Sequence, residues 1–382
     1  MVNTKTVYLD SAASASSSDF AVTDNFANPN SIHEAGRDAF AVMEAARENF
    51  ANLIGAKRPS EIIWTSGATE ANNIAILGIP QAITPDPKRG HRNKIIVFEI
   101  EHESSLLPAK HLAHEGFDVR ILPTDRNGFA KLLKFVDICD DRTALVIMQH
   151  ANTEIGSIQN VSKFCEIAHE NGALFHCDCV GSFGQVPINV EKYGFDSASF
   201  SGHKFGAPKG IGALYLKANT PCKPIFFGGS QERALRPGTQ SVELISPFVK
   251  AAEITKNNYD PVGKIYDEFT NFIATEIDKL NGVRLSVHFM DNKMGYLWNM
   301  MSLVFAGRDS KNLILEYGKR GIIVAGGPAC SSKSDEPSHV LQAIGVPENE
   351  INGAIRISFN PQTTREEIEA FIDATKEILG EN

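Results

Sequence analysis

The sequence contains little cysteine, no long apolar run and no excess of positive charge. Its six cysteines among 382 residues are too few for a disulfide-stapled scaffold, and none forms a Cys-x-x-Cys pair. No apolar stretch reaches the roughly 18–20 residues of a transmembrane helix, and the first residues show no secretory signal. The 37 basic and 46 acidic residues give a net charge of −9, so the chain has no excess of positive charge for binding nucleic acid. We therefore expect a soluble, cytoplasmic protein with no membrane partner and no direct nucleic-acid partner.

One short segment combines the side chains that bind metals. His176-Cys177-Asp178-Cys179 continues an apolar run that is typical of a β-strand. Successive side chains of a strand point to opposite faces, so the two cysteines face away from His176 and Asp178. Four ligands cannot converge from opposite faces, and we predict no metal site here.

Strands and helices alternate along the first two thirds of the chain. A first helix is predicted to open with a capping box from Ser31 to Glu34 and to stop at Gly55, and a second helix, 68–77, ends near Gly78. This alternation predicts a mostly parallel sheet with helices on both faces. The other predicted elements are strands at 61–64, 94–100, 118–122, 144–149, 173–179 and 197–200, and helices at 104–115 and 161–170.

The pattern changes near residue 246 to a long helical stretch interrupted at Asp260-Pro261. Predicted strands at 283–287 and 296–305 and helices at 311–319 and 364–378 follow, the last one opened by a capping box from Thr364 to Glu367. We assign residues 11–250 to a large domain, and residues 1–10 and 251–382 to a smaller α+β domain.

The segment Thr65-Ser-Gly-Ala-Thr-Glu70 leads directly from a predicted strand into a helix. Gly67 lets the backbone approach an anion closely, and the free N–H groups of a helix N-terminus, at Ala68 and Thr69, attract negative charge. These features indicate a phosphate-binding loop, although an ordinary helix cap uses the same residue types.

A lysine and a carboxylate stand at the ends of two further strands. Lys204 follows Ser201-Gly-His203, and a lysine beside such donors suits a Schiff-base lysine next to a phosphate. Asp178 ends a buried-looking strand, where a carboxylate needs a cationic or hydrogen-bonding partner. A solvated lysine and an internal salt bridge are the plainer interpretations of these two residues.

Three more residues are candidates for chemistry. His102 and Asn152 each follow a predicted strand, where an imidazole can stack on a ring and an amide can bond a phenolic oxygen; turn residues have the same pattern. Cys330 lies among small residues in Gly326-Gly-Pro-Ala-Cys-Ser-Ser332, a loop that exposes its thiol. An exposed intracellular cysteine is a candidate nucleophile, although an incidental loop cysteine looks alike.

Taken together, these segments resemble the cysteine desulfurases, pyridoxal-phosphate enzymes of the class V aminotransferase-like type. The order and spacing of the motifs carry the resemblance, which runs nearly end to end. The stretch around Cys330 is similar to the long-loop group I, which includes iron–sulfur-assembly and nitrogen-fixation enzymes. The motifs are Tyr8-Leu-Asp10, Asn28-Pro-Asn-Ser-Ile-His33, Thr65-Ser-Gly-Ala-Thr-Glu70, Ser199-Phe-Ser-Gly-His-Lys204, Gly228-Gly-Ser-Gln-Glu-Arg233, Arg236-Pro-Gly-Thr239, Ala329-Cys-Ser-Ser332, Glu336-Pro-Ser-His-Val-Leu341 and Ile355-Arg-Ile-Ser358.

The resemblance implies an α/β, aspartate-aminotransferase-like fold of the pyridoxal-phosphate-dependent transferases. A large domain around a mostly parallel seven-stranded sheet joins a smaller α+β domain, and the protein forms a homodimer. The implied cofactor is pyridoxal 5'-phosphate. Its implied contacts are Lys204 in a Schiff base, Asp178 on the pyridine nitrogen, His102 stacked on the ring, Asn152 at the phenolic oxygen, Gly67, Ala68, Thr69, Ser201 and His203 at the phosphate, and Thr239 at the phosphate site of the partner subunit.

The implied activity is the conversion of L-cysteine to L-alanine, which leaves a persulfide on Cys330 for transfer to a sulfur-acceptor protein. Asn28 and Arg356 bind the substrate carboxylate, the thiolate of Cys330 is the nucleophile, and Lys204 carries the proton. An iron–sulfur scaffold and another thiolation enzyme both fit as acceptor. A selenocysteine lyase and a weakly catalytic scaffold for sulfur transfer are the alternatives, whereas an aminotransferase has no use for a nucleophilic thiol.

Two features depart from the family pattern. The family usually has a glutamine three residues after the ring-binding aspartate, hydrogen-bonded to the phenolic oxygen, and here that position is Gly181. The segment from Asp10 to Asn28 is short, as if a helix had been lost, and we expect this to reshape the substrate entrance or a partner surface.

Overall fold

The structure is a computed structural model that describes residues 6–15, 27–84, 86, 88, 90–287, 295–326 and 337–381. Cys330 and the motif around it lie outside the described residues.

The strands are β1 (Val7–Tyr8), β2 (Ile62–Thr65), β3 (Lys94–Phe98), β4 (Asp118–Leu122), β5 (Thr143–Gln149), β6 (Leu174–Asp178), β7 (Ser197–Ser201), β8 (Gly212–Leu216), β9 (Val283–Leu285), β10 (Met300–Phe305), β11 (Ile322–Ile323) and β12 (Ala354–Ser358). The helices are α1 (Glu34–Ile54), α2 (Ala68–Ile83), α3 (Glu103–His114), α4 (Leu132–Ile138), α5 (Val161–Glu170), α6 (Val190–Tyr193), α7 (Val242–Asn257), α8 (Tyr259–Ile277), α9 (Ser310–Lys319), α10 (His339–Ala343), α11 (Glu348–Ile351) and α12 (Arg365–Leu379).

A seven-stranded sheet in the order β2-β8-β7-β6-β5-β3-β4 organises the larger part of the chain. Strand β8 runs antiparallel to both of its neighbours, β2 and β7, and the remaining pairs are parallel. The predicted mostly parallel seven-stranded sheet is therefore confirmed. The carboxyl ends of its parallel strands meet at one edge, which is where doubly wound sheets bind ligands.

Both faces of this sheet are covered. On β3, Ile96 and Phe98 pack into one apolar cluster with Phe50 of α1, whereas Ile95 and Val97 pack into another with α2 and α3. This alternation follows from the two-residue period of a strand. Helices on both faces explain why strands such as β3 and β5 are buried along their whole length.

A second, antiparallel sheet in the order β12-β10-β9 packs with α8 and α12 around a separate apolar cluster. Val7 and Leu9 near the start of the chain belong to this cluster, and β1 pairs with β11. The grouping matches the elements that we assign to a small domain; its boundaries stay a prediction.

Three sequence predictions about helix ends are wrong. The N-cap of α1 is His33, whose Nδ1 accepts a hydrogen bond from the backbone N–H of Gly36 at 3.1 Å, and not Ser31. Helix α2 continues through Gly78 to Ile83. The glycine is needed here because a Cβ would lie 2.5 Å from the carbonyl oxygen of Lys223. The break between α7 and α8 falls at Asn258, because Pro261 lies in the first turn of α8, where no backbone N–H has an intrahelical acceptor.

Candidate active site

An anion cradle forms where β2 runs into α2. The first backbone N–H groups of α2, at Ala68 and Thr69, have no acceptor within the helix. The N-cap is Gly67, so no side chain of the cap residue accepts from them either. A Cβ on Gly67 would lie 3.9 Å from Oγ of Ser201, which places the end of β7 beside the cradle. A Cβ on Gly212 would lie only 2.6 Å from Cα of Gly67, so a glycine there lets β8 approach the helix start. The structure thus brings Gly67, Ala68, Thr69 and Ser201 together.

The turn after β7 supplies an imidazole and an amine. Nδ1 of His203 is buried and has no hydrogen-bond partner among the residues that the structure describes. Burial and the nearby charge of Lys204 lower the pKa of His203 to about 4, so this imidazole is neutral at pH 7. Nζ of Lys204 donates to the carbonyl oxygen of Ala12 at 2.7 Å.

Asp178 ends β6 and is buried. Its Oδ2 accepts from Nδ2 of Asn72 and its Oδ1 from the backbone N–H of Val180, both at 2.9 Å. The Oδ1 of Asn72 contacts Nε2 of His176 at 3.0 Å, so His176 and Asp178 share one partner on one face of β6. Asn72 was not predicted as a site residue, because a polar residue one turn into helix α2 does not by itself mark a partner of Asp178.

The predicted alternation in this strand is confirmed. His176 and Asp178 contact Asn72 on one face, whereas Cys177 and Cys179 pack on the other face in the apolar cluster that contains Phe50. Within the described ranges, no group of three or more histidine, cysteine, aspartate or glutamate side chains is placed to hold a metal ion.

His102 is the N-cap of α3. Its Nδ1 accepts from the backbone N–H of Ser104 at 3.1 Å, which assigns the ring proton of the neutral form to Nε2. Burial lowers the pKa of His102, against an opposing effect of the Asp178 carboxylate. The side chain of Asn152 is buried: its Nδ2 donates to Ile100 O at 3.0 Å and leaves one N–H for another acceptor.

Arg356 is 2% exposed and lies in β12. Its Nη2 contacts Oδ1 of Asp10 at 2.7 Å, and its Nη1 donates to the carbonyl oxygen of Thr153 at 3.0 Å. The Nε atom is buried and has no partner in the described part of the chain. Asp10, quoted above only as part of a motif, is therefore an ion-pair partner of the predicted substrate arginine.

Asn28 and Thr239 lie at the surface. Oδ1 of Asn28 accepts from the backbone N–H of Asn30 at 2.9 Å, and the side chain of Asn30 donates to Oε1 of Gln240, next to Thr239, at 3.2 Å. The structure thus brings Asn28 close to Gln240, the neighbour of Thr239, and it gives Asn28 no contact with Arg356 among the described residues.

A small cavity of about 30 Å³ adjoins His102 and Asn152 and contains two buried carboxyl groups, Glu101 and Glu154. The Oε2 atom of each has no hydrogen-bond partner among the described residues. Burial raises the pKa of Glu101 well above its usual value and raises that of Glu154. Ser338 Oγ donates to Oε1 of Glu154 at 2.5 Å, so the described residue range after Cys330 contacts this cavity.

A larger cavity of about 170 Å³ is lined by Lys204 together with Gly181, Gln185 and Trp298. A Cβ on Gly181 would lie 2.5 Å from the carbonyl oxygen of Ala151. The glutamine that the family usually has at this position therefore has no room on this backbone.

Comparisons with known proteins agree on the family. The family model for aminotransferase class-V matches residues 7–371. Cysteine desulfurase IscS of Dictyoglomus turgidum is 38% identical over 357 residues, which are 93% of this chain and 88% of that protein. A solved NifS-like protein superposes with a TM-score of 0.89 at 33% identity, covering 98% of this chain and all of that one (100%). The structure of SspA in complex with cysteine gives a TM-score of 0.79 at 31% identity, covering 94% and 100% of the two chains.

These relatives span nearly the whole chain, and the sheet edge, the cradle and the buried carboxylate lie within the matched range. The described residues include no helix long and apolar enough to cross a membrane. The chain therefore belongs to the aminotransferase class-V family and, within it, to the cysteine desulfurases.

Proposed function

We propose that this enzyme converts L-cysteine to L-alanine and leaves the sulfur as a persulfide on Cys330. One observation carries the proposal: a buried carboxylate, a lysine and an open helix N-terminus meet at one edge of the sheet in a member of the cysteine desulfurases. Cysteine as substrate is supported by the relative SspA, which was solved in complex with cysteine. Residues 11–250 and the remainder of the chain are the two domains that enclose the site.

The residues of the cradle fit pyridoxal 5'-phosphate. The uncapped start of α2 and the unpartnered Nδ1 of His203 both suit an anionic phosphate. The hydrogen bonds to the buried Asp178 come from neutral donors, so this carboxylate has capacity for a protonated pyridine nitrogen. The holding residues are Gly67, Ala68, Thr69, Ser201 and His203 at the phosphate, Asp178, His102 and Asn152 at the ring, and Lys204 as the covalent attachment. When bound, this cofactor supplies an electron sink for the substrate carbon atoms.

Lys204 is the proton carrier, and His102 orients the cofactor ring. The ammonium of Lys204 has an acceptor in the carbonyl oxygen of Ala12, which holds the amine near the sheet edge when it carries a proton. His102 is neutral at pH 7 because burial lowers its pKa, and a neutral imidazole can lie flat against an aromatic ring without a desolvated charge.

Arg356 binds the substrate carboxylate. Its guanidinium uses one N–H for Asp10 and one for Thr153, and the remaining donors are available for a second acceptor. Asn28 contributes from the Thr239 side of the site, where its partner Asn30 bonds Gln240.

Cys330 is the nucleophile. Its thiolate forms a bond to the substrate sulfur, the carbon–sulfur bond breaks, and the electron pair of that bond stays with carbon, which takes a proton and becomes the methyl group of alanine. The sulfur remains on Cys330 and passes to an acceptor protein, such as an iron–sulfur scaffold or another thiolation enzyme.

A homodimer completes the site. Thr239 is exposed, and so are the large side chains of Ile32 (92% exposed) and Phe227 (90%). Ile32 lies two residues after Asn30, which bonds Gln240, and Phe227 precedes Gly228, which lies against Pro237. Phe40 is a further large apolar side chain on α1, and it is 49% exposed. These apolar side chains support a second copy of the chain as the partner that receives Thr239 at its phosphate site.

The test is to measure alanine and sulfide from L-cysteine with a reductant, for wild type, Cys330→Ala and Lys204→Ala. We expect both products from wild type, and a yellow but inactive Cys330→Ala variant. A wild type that binds the cofactor and releases no sulfide overturns the desulfurase assignment. In that case activity on selenocysteine identifies a lyase, and inactivity on both identifies a sulfur-transfer scaffold.

A further inference from the structure

The residues from Gln231 to Gln240, here named the Thr239 segment, are held in an unusual backbone conformation. Glu232, Arg233 and Ala234 have φ values of 47°, 61° and 58°, so three consecutive non-glycine residues are left-handed. Such residues are energetically unfavourable and persist only where other contacts compensate. The compensating contacts therefore show what the segment is built to hold.

The first contact is a buried carboxylate. Glu232 forms a two-pronged ion pair with Arg47 of α1, with both N–O distances at 2.8 Å. Its Oε2 also accepts the backbone N–H of Trp64 at 2.8 Å, and its Oε1 accepts from Nε2 of Gln240 at 3.0 Å. Glu232 thus ties both ends of the Thr239 segment to β2, the strand that leads into the phosphate cradle.

The second contact reaches the cradle itself. Nε of Arg236 lies 3.0 Å from Oε1 of Glu70, and the other carboxylate oxygen of Glu70 accepts the backbone N–H of Ser66. Ser66 and Glu70 flank Gly67, Ala68 and Thr69. Arg236 therefore holds the first turn of α2 from outside, three residues before Thr239.

The charge of Glu70 requires a partner in this position. A carboxylate in the first turn of α2 competes with a bound phosphate for the same helix N-terminus and repels it. Both side chains are largely shielded from solvent, at 25% exposure for Arg236 and 13% for Glu70, so their interaction is only partly screened. Arg236 neutralises this repulsion in its own protomer.

We propose that Arg236 is a positioning residue that couples the two cofactor sites of the dimer. It fixes the phosphate cradle of its own chain through Glu70, and it fixes the segment that presents Thr239 to the cradle of the partner subunit. This inference rests on the proposed function, because it requires the homodimer and the bound cofactor. Its consequence is that loss of one Arg236 weakens both phosphate sites.

The experiment uses holoenzyme dimers and measures cofactor release by absorbance after dilution into an apo-protein trap. The Arg236→Gln homodimer is expected to release cofactor about tenfold faster than wild type, because it loses one charge-assisted contact. Arg236→Lys keeps the charge without the planar fork and is expected to lie between the two. The double variant Arg236→Gln/Glu70→Gln removes the repulsion and is expected to recover only part of the loss.

Mixed dimers with one Arg236→Gln protomer and one wild-type protomer, separated by different affinity tags, give the decisive measurement. Coupling predicts that no fraction of the cofactor is released at the wild-type rate, because the wild-type cradle receives Thr239 from the variant protomer. A biphasic release with half of the amplitude at the wild-type rate shows a purely local effect and overturns the coupling.

Sedimentation and thermal unfolding of each dimer separate this result from a folding defect, and a variant that dissociates or unfolds is replaced by the milder Arg236→Lys. A wild type that binds no cofactor, or is monomeric, overturns the proposed function together with this inference. A wild-type dimer that binds cofactor, with Arg236→Gln releasing it at the wild-type rate, overturns the inference alone.

Discussion

The guanidinium of Arg356 is hydrogen-bonded to the carboxylate of Asp10, with Nη2 at 2.7 Å from Oδ1. Asp10 forms a β-bridge with Ser358, which lies in β12 together with Arg356. Two residues after Asp10, the carbonyl oxygen of Ala12 accepts a hydrogen bond from Nζ of Lys204. One short stretch of chain therefore contacts both the arginine proposed to bind the substrate and the lysine proposed to react with it.

This relationship predicts opposite effects for two substitutions of Asp10. Asp10→Asn keeps an acceptor for Arg356 and removes a negative charge that repels the substrate carboxylate, so the KM for L-cysteine falls several-fold with kcat nearly unchanged. Asp10→Ala leaves the buried guanidinium without its partner, and the KM rises by about tenfold or more. Steady-state sulfide release measures both. Equal KM values for the two variants would contradict a role of Asp10 in tuning Arg356.

A structural feature can be predicted from the sequence when the contacts that define it are local in the chain, and not when they are long-range. The alternation of apolar segments predicted a mostly parallel sheet covered on both faces, because burial on two faces leaves a pattern that is local in the chain; the number of seven strands came only from the family resemblance. Asp178 and Lys204 were predicted from their position at strand ends. Asn72 and Asp10 were not predicted as site residues, because their importance comes from long-range hydrogen bonds to Asp178 and Arg356, and no local pattern marks such pairs.

Helix ends show the same limit. Gly78 has the appearance of a helix stop, yet its role is to admit the backbone of Lys223, a contact made by residues far apart in the sequence. By contrast, the capping box from Thr364 to Glu367 is confirmed, because both of its hydrogen bonds form within four residues.

Restoring the family glutamine at position 181 is predicted to harm the protein. A Cβ there would lie 2.5 Å from the carbonyl oxygen of Ala151, which is backbone and cannot rotate away. We expect Gly181→Ala and Gly181→Gln to lower the free energy of unfolding by about 1–3 kcal/mol, measured by urea denaturation. Gly318→Ala is the control, because nothing lies within 4 Å of a Cβ at that site in α9; it is expected to be neutral or stabilising. Full stability of Gly181→Gln would refute the steric explanation.

Acid stability is predicted to depend on buried histidines. Burial lowers the pKa of His150 to about 4, and its Nδ1 has no partner among the described residues. Between pH 4 and the ordinary histidine pKa of about 6.5, the unfolded chain binds a proton that the folded chain does not, so stability falls as the pH falls through this range. The burial of His203, whose pKa is also lowered to about 4, acts in the same direction.

The measurement is the free energy of unfolding of His150→Gln at several pH values from 4.5 to 7.5. The expected result is a shallower loss of stability towards acid than in wild type, whatever the absolute stability of the variant. His91→Gln, at an exposed histidine, controls for the simple loss of a histidine. An unchanged slope in His150→Gln would assign the acid sensitivity to other groups.

The contact between Ser338 and Glu154 is predicted to govern how well Cys330, the proposed nucleophile, reaches the substrate. Ser338 Oγ donates to the buried Glu154 and also accepts from the backbone N–H of Leu341 as the N-cap of α10. Ser338→Ala removes both bonds, and an N-cap loss of about 0.5–2 kcal/mol is enough to change the position of the chain that precedes the helix. We expect persulfide formation on Cys330 to slow several-fold in single-turnover alkylation assays, with the cofactor absorption unchanged. Ser338→Thr retains the hydroxyl and is the matched control. A Ser338→Ala variant that forms the persulfide at the wild-type rate would show that the approach of Cys330 is independent of this contact.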